Sequence, residues 1–435
     1  MNTTIVSRVP VKVGSVNLSR WHAWGIFAIV LIVAPMIFNK GAALSVLSQM
    51  GTVMIFCLSF NMLFGQGGML SFGHAVYSGL GGFIAIHAMN MVTTNGSHMV
   101  PVTLIPLVGG IAGMGFGILF GYVTTKKSGT TFAMITLGIV ELVHSSSLML
   151  PEFFGGEGGI TTNRVYGAPF MGITYGPQIE VYYLIAFWLF VATVGMFAFT
   201  QTPLGRIINA VRDNPERVEF IGYDTQWVRY LTLILAAFFA GISGALSAIN
   251  FEIVSSENVG AHASGAVLFF TFIGGGSYFF GPMIGAIIGV FLTLMLSDLT
   301  SAWQLYLGLF FILIVMYAPG GVASLIVGQA RVCKYGKFTR VRPKLAAVLV
   351  AFLIALSGLV TCVEMLYYVT LESARGPVME LFHMVVDTKA FGAWFIAVGL
   401  LLSGGIGLRM AWPSFILVWD EVNSELEEQI RREQA

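Results

Sequence analysis

Two groups of polar residues in this chain have types and spacings that could do work. Asn61, Gln66, Ser71 and His74 are strung across a glycine-rich interruption of an apolar run, and Gly274, Gly275 and Ser277 mark a second such interruption much later. Amide, hydroxyl and imidazole groups in an apolar run are costly when they face lipid, so they turn toward protein or a water-filled cavity. A broken helix frees backbone groups with the same need. These seven residues are candidates to line a solute route. The competing reading is a packed structural break in which Gln66 and Ser71 satisfy the freed backbone. The second group is the charged interval Thr202 to Tyr223, where Gly205, Arg206, Arg212, Asp213, Asn214, Glu216, Arg217 and Gly222 alternate with apolar residues. Its chemistry is that of a docking surface.

Reaction chemistry finds little support. Glu141, His144, Glu252, His262 and Asp298 are the ionisable residues a proton-coupled carrier would use. Three of them, Glu252, His262 and Asp298, fall near segment ends within reach of water, and Glu141 and His144 are one helical turn apart, spaced to pair. No strand-turn-helix frame positions a nucleophile. No G-x-x-x-x-G-K-[ST] phosphate loop occurs, since Gly336-Lys337 is followed by Phe338. Cys57, Cys333 and Cys362 lack metal-ligand spacing, so neither a metal, a cofactor nor a disulfide framework is expected. A net charge of +1 gives no footprint for nucleic acid.

The docking interval has its own local logic. Thr202 can cap a helix with Pro203 at its first position. Leu204, Ile207, Ile208 and Val211 then form one apolar face, with Arg206, Asn209 and Arg212 opposite. Asn214 can cap a second, shorter helix that begins at Pro215 and carries Glu216 in its first turn. Gly222 can end it. A plain solvated connector is the alternative.

The elements that hold these groups are set by composition. Only 10% of the 435 residues are charged and 56% are hydrophobic, against roughly 25% charged in a soluble domain. Apolar runs near 21–38, 43–64, 69–91, 101–123, 129–150, 181–199, 227–250, 260–280, 282–298, 302–318, 344–369 and 390–410 approach the ~20 residues that a membrane helix needs. The fold class is all-α, a polytopic membrane protein of ten to twelve transmembrane helices, some broken or re-entrant at glycine-rich segments. The run from Trp21 reads as a retained helix and not as a signal peptide. Alternating sides from a cytoplasmic amino terminus leaves only Lys40, Arg164, Arg375 and Lys389 of the 22 Lys and Arg residues outside, the bias expected of cytoplasmic loops. The termini and the 201–226 loop are then cytoplasmic, and the glycine-rich loop 151–180 lies outside. Both breaks fall on the cytoplasmic side before an apolar span, a faint internal duplication of the kind that points to a transport site. The four-residue glycine repeats at Gly109 to Gly121 and Gly281 to Gly289 read as close helix packing.

Five ordered motifs resemble those of the branched-chain amino acid ABC transporter permeases of the LivM type. They are Asn61 to His74, Thr131 to Leu137, Gly155 to Thr161, Gly274 to Gly285 and Ala318 to Gly321, and the loop Gly205 to Asp224 is similar to that family's cytoplasmic coupling segment. The resemblance covers about residues 20–327. It implies an importer subunit in the bacterial inner membrane, working with two ABC ATPase subunits, a second permease subunit of the LivH type and an extracytoplasmic solute-binding protein. ATP would be hydrolysed on a partner chain. Lipid is the remaining contact. The expected organisation is a cytoplasmic segment 1–20, a permease domain 21–327 containing the coupling loop, and an extension 328–435 with two further spans and an acidic tail, which has no counterpart in the family pattern. An ion-driven carrier, and a permease for urea or short amides, are the rival readings.

Overall fold

The computed structural model describes residues 20–95, 101–166, 174–371, 378–381, 384–388 and 390–434. Residues 1–19 of the expected amino-terminal segment, with Arg8 and Lys12, and the loop residues Arg375 and Lys389 lie outside them.

The apolar runs form helices, because a backbone in lipid must satisfy its own hydrogen bonds. In chain order these are α1 (Arg20–Ile37), α2 (Gly41–Gly67), α3 (His74–Asn95), α4 (Ile105–Thr124) and α5 (Gly129–Met149). A single turn, α6 (Pro151–Phe154), precedes α7 (Gln178–Gln201). Two short helices, α8 (Pro203–Asp213) and α9 (Pro215–Phe220), lead to α10 (Thr225–Phe251). Then follow α11 (Ala261–Gly274), α12 (Gly281–Leu299), α13 (Trp303–Tyr317), α14 (Gly321–Lys334), α15 (Phe338–Leu371) and α16 (Phe391–Gln434). Strand β1 (Ile160–Thr161) pairs antiparallel with β2 (Ile253–Val254), and β3 (Val378–Leu381) with β4 (Met384–Asp387).

Eight of these helices, α2, α4, α5, α7, α10, α12, α15 and α16, are long and apolar enough to cross a membrane among the described residues. Taking α13 and α14 as one interrupted span makes a ninth. The remaining apolar runs of the sequence are also helical; α1 and α11 are shorter, and α3 is diluted by His74, His87, Asn90 and threonines.

The chain divides into two compact units, one of residues 18–299 and 303–325 and one of residues 326–435 with 300–302. In the first, α10 is the most enclosed span and packs against α4, α3 and α2. Glycine makes this approach possible. A Cβ on Gly109 would strike Ala245, and one on Gly113 the Ala237 carbonyl. Gly117 and Gly121 similarly face Ala237 and Leu233 of α10, so the repeat is a packing stripe. The core between these helices is aromatic and aliphatic, with Phe83, Phe132, Ile185 and Leu233 fully buried. In the second unit, α15 and α16 form a hairpin in which Gly358 abuts Leu401 and Gly404 abuts Ala355.

Candidate functional site

The interval from Thr202 to Tyr223 is folded by its caps. Thr202 Oγ1 accepts from the Gly205 amide at 3.2 Å, opening α8, and Asn214 Oδ1 accepts from the Arg217 amide at 3.0 Å, opening α9. Gly222, at φ +92°, ends α9, and Asp224 Oδ1 then caps α10 through the amides of Gln226 and Trp227. Thus α8 buries Ile208 and Val211 and α9 buries Val218 alone. Glu216, Arg217 and Phe220 project into solvent, Phe220 with 89% of its surface exposed.

The apolar face of α8 sits on the first glycine-rich break. Helix α2 ends as the amides of Gly68 and Met69 take the carbonyls of Phe64 and Leu63. The Gly65 carbonyl receives its bond from Arg212 Nη1 of α8, whose Nε holds Asp213 Oδ1 at 3.0 Å. Arg212 therefore caps α2 from another helix. Helical periodicity places Arg212 opposite the buried face; its long side chain instead reaches back across the helix end. The Arg212 stem runs over Gly68, where φ is +64° and a Cβ would come within 2.8 Å of Arg212 Cγ. Ile208 seals Gly67, with Cγ1 at 3.3 Å from a Cβ placed there.

The second break lies against the first. A side chain on Gly65 would collide with both Asn61 Oδ1 and the Gly276 carbonyl. Rings of Phe64 and Phe272 lie 4.5 Å apart, and Gly275 packs on Gly320 and Gly321. Asn61, Gly65 and Gly276 thus share one seam; Gln66 follows in the last turn of α2, Gly274 and Gly275 pack on Gly281 and Gly320, and Ser277 is exposed. His74 belongs to a neighbouring spot. Its Nε2 lies 2.9 Å from Ser59 Oγ, whose single hydrogen goes to the Phe56 carbonyl.

Asn61 Oδ1, Gln66 Oε1, Ser71 Oγ and His74 Nδ1 are buried without a hydrogen-bond partner. Ser71 therefore does not satisfy the freed backbone, and neither does Gln66 through its carbonyl oxygen. The backbone there is served from outside the break: Phe72 N donates to Thr136 Oγ1 and Ala75 N to Ser264 Oγ. Each unpaired buried group costs roughly 1–3 kcal/mol.

The ionisable candidates do not assemble into a relay. His144 Nδ1 reaches the Ser256 carbonyl at 3.1 Å, and no ion pair with Glu141 occurs among the described residues. Glu252 holds the Arg164 amide at 3.0 Å, and His262 and Asp298 lie on α11 and α12. Arg164 is the residue that sequence reasoning missed. Its guanidinium donates to the carbonyls of Tyr175, Ile249 and Asn250 and to Gln178 Oε1, stapling the 160–166 segment to the end of α10. Beside it, β1 pairs with β2 and Gly159 touches the Val254 carbonyl. Its one sequence signal is a lone arginine in a loop otherwise marked by glutamates.

Residues 42–319 match the family model described as the permease component of the branched-chain amino acid transport system. The chain belongs to this permease family. It is similar to the high-affinity branched-chain amino acid transport permease LivM of Escherichia coli, at 26% identity over 63% of this chain and 68% of that protein. The LivM of Salmonella typhimurium is 24% identical over 70% and 75%. The probable LivM of Methanocaldococcus jannaschii is 24% identical over 64% and 92%. No solved structure matches. The permease is a transport subunit with its seam, α8, α9 and the Arg164 staple all inside the matched region; α15 and α16 lie beyond it.

Proposed function

We propose that the permease is the membrane subunit of an ATP-driven importer that carries branched-chain amino acids into the cytoplasm. The relatives it resembles are branched-chain amino acid permeases, and the lack of a phosphate loop in the sequence supports ATP hydrolysis on partner chains. Two ATPase subunits, a LivH-type second permease and an extracytoplasmic solute-binding protein complete the assembly. The termini and the 201–226 loop face the cytoplasm of the inner-membrane-bound complex. Residues 21–327 act as the permease domain and 328–435 as an extension.

The observation that carries this reading is the bond from Arg212 to the Gly65 carbonyl. A partner that pushes on exposed α9 moves α8, and α8 is tied to the end of α2 where Asn61 and Gly276 meet. Force on the loop thus reaches the seam through the bond from Arg212 to the Gly65 carbonyl. Asp213, Asn214, Glu216, Arg217 and Gly222 form the contact, flanked by Gly205, Arg206 and Arg212. Asn61, Gln66, Ser71, His74, Gly274, Gly275 and Ser277 border the route. In the assembled importer, Glu216→Ala with Arg217→Ala should leave ATP hydrolysis running while uptake of labelled leucine falls. Unchanged uptake would overturn the coupling assignment.

A further inference from the structure

The unit beyond the family match carries a second surface. Lys337 Nζ binds Glu425 at 2.8 Å, and Arg340 binds Glu421 at 2.9 Å and Glu425 at 3.1 Å, tying the start of α15 to the tail of α16. Val332, Val341, Val422 and Leu426 are buried beneath these pairs. The scaffold is therefore fixed on both polar and apolar sides. Arg331, Lys334, Arg342 and Lys344 lie around it and form no ion pair among the described residues, and Lys334, Arg342 and Lys344 are exposed. Asp420, Glu427 and Glu428 share the tail but pair with none of them.

The depth of this basic group follows from the hairpin register. Gly404 sits against Ala355 and Gly407 against Ala351, and the antiparallel pairing continues to Arg340 beside Glu421. Arg342 and Lys344 therefore stand level with the stretch of α16 that holds Trp412, Phe415 and Trp419, whose rings follow one another at 5.9 Å. Gly328 of α14 touches Trp419, which brings Arg331 and Lys334 within two helical turns of that level. Aromatic rings mark the headgroup layer of a bilayer, and the apolar run of α15 begins immediately after Lys344. Unpaired cations at the depth of lipid phosphates, on a rigid support, match phosphodiester groups in charge and geometry.

We propose that Arg331, Lys334, Arg342 and Lys344 bind the phosphates of anionic phospholipids at the membrane surface. The test uses the full-length permease in detergent with phosphatidylglycerol or phosphatidylcholine added, bound lipid being counted by native mass spectrometry. Lys334→Gln with Arg342→Gln and Lys344→Gln should lower phosphatidylglycerol retention roughly tenfold. Lys337→Gln with Arg340→Gln, which removes paired charges, should leave retention within about twofold. The wild-type protein should prefer phosphatidylglycerol and release it as salt rises, which decides the matter even if the triple variant fails to fold. Equal retention of phosphatidylcholine, salt-independent binding, or full retention by a folded triple variant overturns the proposal. Displacement by millimolar inorganic phosphate alone would mark a site for a free anion and overturn it also.

Discussion

Arg212 serves two partners because a guanidinium carries several donors in a fixed fork. One arm caps α2 at the Gly65 carbonyl, another holds Asp213, and the aliphatic stem covers Gly68. Arg212→Gln loses that reach and leaves the Gly65 carbonyl open at the helix end. In the assembled importer, uptake should fall while partner ATPase activity persists, and Arg212→Lys should recover part of the uptake through a single donor. Equal loss of uptake and hydrolysis in both variants would show that Arg212 only supports folding. The residue types at this site were legible from spacing, but their partners were not. Periodicity describes a side chain's origin on a helix, and a long cation can end on the opposite side of it.

At the scale of elements, α9 is held by its cap, by one buried side chain and by Glu219, whose Oε1 accepts from Thr225 Oγ1 of α10 at 2.8 Å. It has six residues and one buried side chain, Val218, and isolated helices of that length do not persist in water. Removing the Asn214 side chain with Asn214→Ala should cost about 1 kcal/mol and speed amide exchange across residues 215–220, whereas Asn214→Asp should restore protection. No change in exchange would mean that α9 is held by contacts other than its cap. Helices α8 and α9 could be drawn from sequence because capping is local chemistry: Thr202, Pro203, Asn214, Pro215 and Gly222 act on neighbours within a few positions. Pairing of β1 with β2 was not readable, since Ile160 and Val254 are far apart in the chain and two-residue strands leave no alternation pattern.

For the whole molecule, the spans of the first unit close through glycine. Gly244 of α10 lies so near the Ser78 carbonyl of α3 that a Cβ would overlap it, whereas Gly115 of α4 has nothing within 4 Å. Both are mid-helix glycines in apolar runs. Gly244→Val should therefore cost at least the 1–3 kcal/mol typical of overpacking and reduce the yield of monodisperse protein. Gly115→Val should leave yield and melting temperature close to the parent. Similar behaviour of the two variants, measured by size-exclusion chromatography and thermal melting, would contradict the packing described.

Composition and hydropathy alone determined that the chain is a helical membrane protein, because the scarcity of charge and the length of apolar runs are properties of the unfolded string that lipid acts on directly. Local order determined the two capped helices between α7 and α10, and the ordered motifs carried the resemblance to a permease family. Tertiary structure alone decided that the two glycine-rich breaks meet at Gly65 and Gly276, that Arg212 caps α2, that Arg164 staples the loop after α6 to α10, and that Asn61 and His74 occupy separate spots. Each of these contacts joins segments distant in sequence. Which distant segments meet depends on how whole helices pack, a choice made by complementary surfaces and absent from any short window of the chain.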